Sequence, residues 1–501
     1  MSMAPKRSIP VPAIRIRDLT GGRVNERGTH VLYWMIAARR ARWNFALDRA
    51  VELACEFDRP LLVLEALRVG YPWASDRLHR FVLDGMADNA RAFERSNVLY
   101  HPYVEPEEGA GKGLLENLAA DACAVVTDDF PAFFLPRMLA AAARKLSVRL
   151  EAVDSNGLLP LRAADKPFAR AFDFRRFLQR ELAPHLALGP RRDPLRAALR
   201  PRRRLPDGVA ARWPRAGEAL LRGAADALAT LPIDHGVPPA PLEGGARAAG
   251  RALRRFLEHG LPRYATQHNQ PESEASSGLS PYLHFGHLSP HEVLHELAQR
   301  EQWSPADAGG ARGGKRTGWW RMSEPAEAFL DQLVTWRELG LNACAHGEHP
   351  ERYDSLPAWA RATLEAHASD RRPQLYSRAQ FERADTHDDL WNAAQNQLRI
   401  EGRIHNYLRM LWGKKVLHWS ASPRAAHSIL IELNDKYALD GRDPNSYCGI
   451  SWVLGRYDRP WGPEREVFGT VRYMSSDSTR RKLRVNEYVE RWAEWDLAPA
   501  T

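Results

Sequence analysis

The sequence predicts an α/β domain followed by a large all-helical domain. Short apolar runs alternate with helical stretches between residues 31 and 156, and strand-like runs become scarce after Lys166. Length supports the division, because a chain of 501 residues is too long for one typical domain. The predicted fold class is therefore α/β plus all-α, with a doubly wound parallel sheet in the first domain.

The strands of the first domain are predicted from its short apolar runs. These runs lie at residues 31–35, 61–64, 98–100, 124–127 and 148–153. Helical stretches such as 46–57 and 133–145 separate them. This β-α-β rhythm is typical of a parallel sheet with helices on both faces.

The remaining chain divides into a connector and a helical domain. We predict the α/β domain at residues 28–160, a Pro- and Arg-rich connector at 161–240 and the helical domain at 241–495. Within the helical domain, Ser289 with Pro290 and Glu292 predicts a helix start with a capping box, and Ser422-Pro423 predicts another start. The Gly- and Arg-rich segment 303–322 predicts a mobile loop.

Composition narrows the class of protein. The formal charge of +9 and the pI of about 9.4 suit a polyanionic partner such as nucleic acid. A GC-rich genome, which favours Arg over Lys, is the alternative explanation for part of the excess of basic residues. The four cysteines are scattered without a Cys-x-x-Cys pair, which argues against a disulfide framework and against structural zinc or iron–sulfur sites. No apolar run is long enough to span a bilayer, so we expect a soluble cytoplasmic protein.

Two motifs look informative but favour structural interpretations. His291-Glu292-Val293-Leu294-His295 matches the zinc motif His-Glu-x-x-His, yet spacing identifies no third ligand. Residues 109–113 are Gly-rich but lack the spacing of a phosphate loop, so they predict a turn before a helix at Leu114. The first strand is not followed by Gly-x-Gly-x-x-Gly, which argues against a dinucleotide on a Rossmann turn.

Residues 386–445 carry a dense set of tryptophans, amides and paired charges that suits a buried redox cofactor. A helix predicted at 404–419 places Trp412 and Trp419 two turns apart, in one line, and Trp391 lies just upstream. The three tryptophans fit either a core stripe or an electron relay between a flavin and the surface. Arg409 and the polar segments 434–435 and 440–445 would then pair around the cofactor.

Residues 276–286 form a second candidate site. Hydroxyls, Gly278 and a helix start at Ser280-Pro281 make a turn that can bind an anion through backbone N–H groups. Taken alone, this segment fits an ordinary helix N-cap better.

Together these segments resemble the photolyase/cryptochrome family, and most closely its class II cyclobutane pyrimidine dimer photolyases. The similarity covers most of the chain from residue 31 to about residue 492. It rests on Val31-Leu32-Tyr33-Trp34-Met35, residues 278–286, Leu390-Trp391-Asn392-Ala393-Ala394-Gln395, Arg409-Met410, Trp412 with Lys414-Lys415, residues 439–445, and Arg472-Tyr473-Met474.

The resemblance implies an FAD enzyme that uses blue light to repair UV-damaged DNA. Reduced FAD, held in a U shape by the helical domain, would pass an electron to a flipped-out dimer, whose ring splits before the electron returns. The resemblance implies the following cofactor contacts: Tyr264, Gly278, Leu279 and Ser280 at the phosphates, Arg409 with Asp440 beside the isoalloxazine, and Asn434 and Asn445 near its N5 edge. It also implies that Arg337 binds the cofactor, without indicating which part. The implied relay is Trp391, Trp412 and Trp419, and the implied lesion contacts are Trp336, Met410 and Trp452.

Further expectations follow from the same resemblance. A second, antenna chromophore of unknown identity is a family option, no metal is expected, and we expect a monomer. Family members carry a Glu that contacts the dimer at the place of Gln332, which has Asp331 beside it; an amide donates a hydrogen bond but supplies no proton. Asn406 also stands where class II sequences have Gly.

Two other functions stay open at this stage. A cryptochrome-like photoreceptor or a photolyase with another lesion specificity would share these motifs. The end of the chain at Thr501, soon after the last motif, favours the enzyme over a receptor with a long signalling tail. A zinc hydrolase based on His291 and His295 is a remote third reading.

Overall fold

The computed structural model describes residues 10–273, 275–310 and 312–493. In this part of the chain one six-stranded sheet is formed in the order β1-β6-β5-β2-β3-β4. The strands are β1 (Ile16–Asp18), β2 (His30–Met35), β3 (Leu61–Leu67), β4 (Leu99–Val104), β5 (Ala122–Asp128) and β6 (Leu150–Val153). Strands β2 to β6 are parallel, whereas β1 pairs antiparallel with β6 at the edge.

The sheet is buried on both faces, as the sequence predicts for a doubly wound domain. Along β2, Val31, Tyr33 and Met35 join one hydrophobic cluster, and Leu32 and Trp34 join another on the opposite face. This alternation follows from the two-residue period of a strand. All five predicted strands are confirmed, but β1 was not predicted, because three residues of mixed polarity carry no recognisable pattern.

Helices occupy most of the remaining chain. Those that follow strands of the sheet are α1 (Phe45–Glu56), α2 (Asp76–Glu94), α3 (Leu114–Ala120) and α4 (Leu135–Ala143). Those of residues 161–240 are α5 (Ala171–Glu181), α6 (Ala183–Leu186), α7 (Asp207–Arg212), α8 (Glu218–Leu221) and α9 (Ala225–Leu228).

The second half of the described chain is helical. Its helices are α10 (Gly245–Arg255), α11 (Leu261–Gln267), α12 (Ser280–His284), α13 (Pro290–Glu301), α14 (Glu324–Leu330), α15 (Arg337–Ala345), α16 (Ala358–Ala366), α17 (Arg378–Arg383), α18 (Asp389–Glu401), α19 (Asn406–Trp419), α20 (Pro423–Tyr437), α21 (Pro444–Val453), α22 (Ser476–Lys482) and α23 (Asn486–Ala493). Wider π-helical turns at Phe256–Gly260 and Asp331–Trp336 continue into α11 and α15. None of the helices described is long and apolar enough to cross a membrane. Residues 494 and 495 of the predicted helical domain lie outside the described residues.

Buried charged side chains connect the α/β half to the helical half. Arg77 of α2 donates to the carbonyl oxygens of Leu398 at 3.1 Å and Tyr437 at 2.9 Å. The Glu338 carboxylate of α15 accepts the backbone N–H groups of Leu158 at 2.7 Å and Leu159 at 3.0 Å. Charge-assisted bonds of this kind are about twice as strong as neutral ones, so they fix how the two halves meet.

The predicted loop at 303–322 is held at its ends by buried tryptophans. Trp319 and Trp320 are buried in the core, and the Trp303 indole N–H donates to the Trp320 carbonyl at 2.6 Å. The Trp319 indole N–H donates to the carbonyl of Gln179 in α5 at 3.0 Å. The aromatic residues therefore anchor both ends of a Gly-rich loop.

The predicted capping box at the start of α13 is not formed. Ser289 caps the helix as expected by accepting the His291 N–H at 3.2 Å. Glu292, however, pairs with Arg42 of the α/β half at 2.7 Å instead of returning to the cap. The predicted start at Ser422 is confirmed, since its hydroxyl accepts the Ala425 N–H at 3.1 Å.

Gly286 provides a sensitive test of the contact between the two halves. Its φ is +72°, and a Cβ there would lie 1.9 Å from the Ala37 carbonyl oxygen. We expect Gly286→Ala to destabilise the fold by at least about 2 kcal/mol, because backbone strain adds to a backbone clash. Urea unfolding monitored by circular dichroism measures the change.

Gly208 of α7 is the matched control for this substitution. It has no atom within 4 Å of an added Cβ and no positive φ, so Gly208→Ala should be neutral or stabilising by up to about 1 kcal/mol. Equal stabilities of the two variants would contradict the tight contact at Gly286.

Candidate functional site

An ion pair between the half-buried Arg409 and the buried Asp440 lies in the helical half. Arg409, in the first turn of α19, donates to the Asp440 carboxylate at 3.1 Å and approaches the Ser446 hydroxyl at 3.5 Å. Burial alone would raise the pKa of Asp440, but Arg409 and a hydrogen bond from Ser280 outweigh it, so the pKa falls below its usual value. The pair is therefore fully charged near neutral pH.

The Ser280 hydroxyl connects this ion pair to the predicted anion-binding turn. Ser280 opens α12, and its hydroxyl lies close enough to Asp440 to help lower the pKa of that carboxylate, which places residues 278–280 beside the Arg409 pair. A Cβ at Gly278 would lie 3.6 Å from the Arg403 guanidinium, so a cation adjoins the turn. Leu279 is buried in the core behind it. The predicted phosphate and isoalloxazine residues thus share one region.

Tyr264, the other predicted phosphate residue, lies buried in α11. Its ring stacks on His268 with centroids 4.8 Å apart and meets Phe256 and Phe329 edge-on. Burial raises the pKa of Tyr264, so its hydroxyl stays protonated and can donate a hydrogen bond.

Asn434 and Asn445, predicted near the flavin N5 edge, differ in how far their side chains are committed. The Asn434 amide donates to Gly441 at 2.7 Å and to Asp435 at 3.1 Å, and it accepts from the Ser446 hydroxyl at 3.0 Å. It therefore holds the turn that carries Asp440. Asn445 opens α21 with an exposed side chain.

The three predicted relay tryptophans form one buried cluster. Trp412 lies one turn after Arg409 on the same face of α19, which makes it the member nearest the ion pair. The Trp391 indole N–H donates to the Trp412 carbonyl at 3.0 Å, and the Trp391 ring meets Trp419 edge-on with centroids 6.1 Å apart. The contact order is therefore Trp412, Trp391, Trp419.

Beyond Trp419 the cluster continues towards the surface. Its ring lies 5.7 Å from Tyr376 and 4.9 Å from His387, measured between centroids. The Tyr376 hydroxyl is within 2.6 Å of His387 Nδ1, and His387 is exposed. Lys415 lies 4.9 Å above the Trp419 ring and pairs with Asp388 at 3.2 Å. The sequence analysis missed Tyr376 because nothing in its spacing relates it to Trp419.

The predicted lesion residues form a second aromatic cluster. Trp336 and Trp452 stack in parallel with centroids 4.5 Å apart and an interplanar angle of 14°. Gln332 lies four positions before Trp336 in the π-helical turn, and Gln332, Trp336, Met410 and Trp452 are all half-buried. Met410 adjoins Arg409 on α19 and packs against the hydrophobic cluster that contains Trp391, Trp412 and Trp419.

Asp331, the neighbour of Gln332, forms an ion pair with Arg175 of α5. Its carboxylate accepts from the Arg175 guanidinium at 2.8 Å, and both side chains are buried. Gln332, by contrast, lies one helical turn before Trp336 and is half-buried like it.

Arg337 lies at the junction of the two halves. It donates to the Asn156 carbonyl at 2.8 Å and lines a cavity of about 10 Å³ at the carboxyl ends of the strands. Ligands of doubly wound sheets bind at the crevice where strand order reverses, here between β2 and β5. The Asp128 carboxylate fills that crevice by accepting the N–H groups of Ile36, Ala37 and Ala38 at 2.7–3.0 Å. A space of this size holds about one water molecule.

A third cluster was not predicted from the sequence. Trp461, 36% exposed, lies between two guanidinium groups, with Arg459 at 4.5 Å and Arg472 at 5.2 Å from its ring. It follows α21, which carries Trp452. Lys414, one turn after Met410, is buried and donates to the Val453 carbonyl; burial lowers the pKa of Lys414 to about 7.

Neither weak motif forms a site. His291 packs edge-on against Phe45 and His295 lies against Trp43, while Glu292 pairs with Arg42. No cluster of metal-ligating side chains occurs among the described residues. The Gly109 and Gly111 N–H groups donate to the Glu105 carboxylate, so an internal anion already occupies that turn.

Comparison with known proteins identifies the family. A deoxyribodipyrimidine photo-lyase of Methanothermobacter thermautotrophicus is 35% identical over 489 residues, which are 96% of this chain and 98% of that protein. The chain belongs to the deoxyribodipyrimidine photo-lyase family. The photo-lyase of Oryza sativa subsp. japonica is 33% identical over 97% of this chain and 93% of that protein. The photo-lyase of Potorous tridactylus is 30% identical over 91% of this chain and 80% of that protein.

The fold of this photo-lyase agrees with that of a solved relative. A class III photolyase from Agrobacterium tumefaciens superposes with a TM-score of 0.66 over 93% of this chain and 86% of that protein, at 17% identity. No family model matches the chain. The relatives confirm the predicted family and enzyme class, and the solved structure confirms the predicted fold class.

Proposed function

We propose that this photo-lyase is a class II type enzyme that repairs cyclobutane pyrimidine dimers in DNA by light-driven electron transfer from FAD. The observation that carries the proposal is the continuity of the site. A charged Arg409–Asp440 pair and a tryptophan cluster reaching towards the surface share helix α19. The same helix is joined through Lys414 to the carbonyl of Val453, the residue after Trp452 of the half-buried Trp336–Trp452 stack. We expect a monomer acting in the cytoplasm.

The residues around the ion pair fit a flavin. Arg409 offers a fixed cation to a ring that gains negative charge, and the Asp440 carboxylate keeps that cation in place. The turn at 278–280, with Arg403 beside it, offers hydroxyl and cationic donors to phosphates. When bound and reduced, FAD excited by blue light supplies one electron to the dimer and recovers it after the ring splits.

The half-buried aromatic cluster fits a flipped-out dimer. A dimer inside a duplex is out of reach, and extruding it costs roughly a few kcal/mol. Trp336 and Trp452 can offset this cost by stacking, at roughly 1–3 kcal/mol per base. Arg459, Trp461 and Arg472 would contact the DNA backbone and unpaired bases beside this pocket.

One experiment tests the proposal directly. Purified protein should absorb as a flavoprotein and should restore dimer-containing DNA under blue light but not in the dark. Flavin binding with no repair would favour the alternative, a cryptochrome-like photoreceptor. Repair of other photoproducts alone would favour a different lesion specificity.

The contact order of the tryptophans leads to a prediction about Trp419. As the outer member, Trp419→Phe should slow photoreduction of oxidised FAD by tenfold or more, because electrons from an external donor enter through it; we take tenfold, about 1.4 kcal/mol in the barrier, as the threshold. Transient absorption and steady illumination with a fixed donor measure the rate. Trp320→Phe, in the other aromatic core, is the control and should photoreduce normally. Equal rates in both variants would remove Trp419 from the relay.

Gln332 leads to a prediction about repair efficiency. Its amide can donate to a dimer carbonyl but cannot supply a proton. Gln332→Glu, which is nearly isosteric, should raise the repair yield per absorbed photon while changing dimer affinity by less than about 1 kcal/mol. The measurement is the quantum yield on a dimer-containing oligonucleotide with FAD fully reduced. Asp331→Asn should instead destabilise the fold, because it leaves Arg175 buried without its partner.

A lower yield in the Gln332→Glu variant would show that the pocket works with an amide. The absence of repair by both the wild type and this variant would support the photoreceptor alternative.

A further inference from the structure

The tip of the loop between α13 and α14 is held firmly against α5. The Gly314 N–H donates to the Gln179 side chain at 2.8 Å, and Gln179 in turn donates to the Lys315 carbonyl at 2.8 Å. Arg175 donates to the Gly314 carbonyl at 3.3 Å. These bonds fix the loop backbone. The neighbouring side chains of Arg312, Lys315 and Arg316 are exposed.

Gly314 allows this close approach. Its φ is +83°, and a Cβ there would lie 2.7 Å from the Phe172 ring and 2.8 Å from Arg176. Phe172 is nevertheless 48% exposed, which is unusual for so large an apolar side chain. Arg176 lies 5.9 Å above its ring.

The fixed tip presents uncompensated positive charge. Arg176, Arg312, Lys315 and Arg316 are exposed, and none forms an ion pair with another residue that the structure describes. By contrast, the neighbouring Arg170 pairs with Asp173 at 2.6 Å. We call Phe172 and these four cations the basic loop patch.

The basic loop patch is attached to the element that carries Gln332 and Trp336. Arg175, which holds Gly314, also pairs with Asp331, the first residue of that π-helical turn. Gln332 and Trp336 lie one and five positions further, about 1.5 to 8 Å along a helix axis. The patch is therefore joined, through Arg175 and Asp331, to the π-helical turn that carries Gln332 and Trp336.

We propose that the basic loop patch binds the phosphate backbone of duplex DNA on one flank of the lesion. The proposal rests on the proposed function, because it assumes that the lesion enters beside Gln332 and Trp336. Unpaired cations next to an exposed aromatic ring suit a nucleic acid backbone, whose charge repeats at a fixed spacing. Pre-anchoring of the loop keeps the ordering cost of binding low.

The test uses the full-length protein and a matched pair of double variants. Lys315→Ala with Arg316→Ala removes two charges from the patch, and Arg202→Ala with Arg203→Ala removes two exposed charges from the connector. Binding to dimer-containing and undamaged duplexes is measured in the dark by fluorescence anisotropy over a salt series. The patch variant should make the slope of log K against log salt less steep by about two, since each lost phosphate contact contributes about 0.9.

Duplex length then locates the contact. The patch variant should lose affinity on a duplex with both flanks and on a duplex truncated on one side, but match the wild type when the other flank is removed. Damaged and undamaged duplexes should show similar losses, because phosphate contacts carry no sequence information. The connector variant should leave every slope unchanged.

Other outcomes overturn the proposal in distinguishable ways. An unchanged slope in the patch variant, with normal light-driven repair, would reject the patch and leave the proposed function intact. Losses that persist on both truncated duplexes would show that the charges act at long range without a local contact. Failure of the wild type to bind or repair dimer-containing DNA would reject both the patch and the proposed function.

Discussion

The site depends on the ion pair between Arg409 and Asp440. The pair joins α19 to the turn before α21, and the Ser280 hydrogen bond extends it to α12. Removing one partner would leave a buried charge uncompensated, at a cost of about 3–5 kcal/mol. Because the pKa of Asp440 is depressed, the pair keeps its charges at neutral pH. A cation fixed in this way can stabilise charge that develops nearby without reorganising.

Helix α19 distributes its side chains between two tasks. Arg409, Trp412 and Trp419 recur at the spacing of one face, which contacts the ion pair and the tryptophan cluster. Lys414 lies on another face and donates to the Val453 carbonyl at the end of α21. Met410, one turn before Lys414, is half-buried. A cofactor beside Arg409 and a substrate beside Met410 would therefore contact neighbouring residues of the same helix. From Leu411 to Leu417 the helix is buried, although Lys414 and Lys415 lie in this stretch.

Local patterns predicted the features that local physics controls. Apolar runs located the five parallel strands, and Ser422 with Pro423 located the start of α20, because burial and capping act over a few residues. The capping box at Ser289 failed because Glu292 meets Arg42, far away in sequence. Segment 303–322 has the composition of a mobile loop, but its anchors, Arg175 and Gln179, belong to α5.

The candidate site shows the same limit. Spacing placed Trp412 and Trp419 in one line, but only the structure gives Trp391 its position between them in the contact order. The stacking of Trp336 on Trp452 and the sandwich around Trp461 join segments whose separation in sequence carries no periodicity. The family resemblance supplied several of these residues, and the structure adds which of them are in contact.

Gln332 shows why contacts matter more than residue type. It and Asp331 are adjacent, so an alignment shifted by one residue would put a carboxylate at the dimer. Neighbouring helical positions point in different directions, and Asp331 is already neutralised by Arg175 in a buried pair. Turning that carboxylate towards the aromatic cluster would leave the buried Arg175 guanidinium without its partner. Only the amide is free to face a substrate, and an amide donates its hydrogen bond at every pH, whereas a carboxyl group donates only when protonated. Under the proposed function, lesion recognition at this position would therefore not depend on proton uptake.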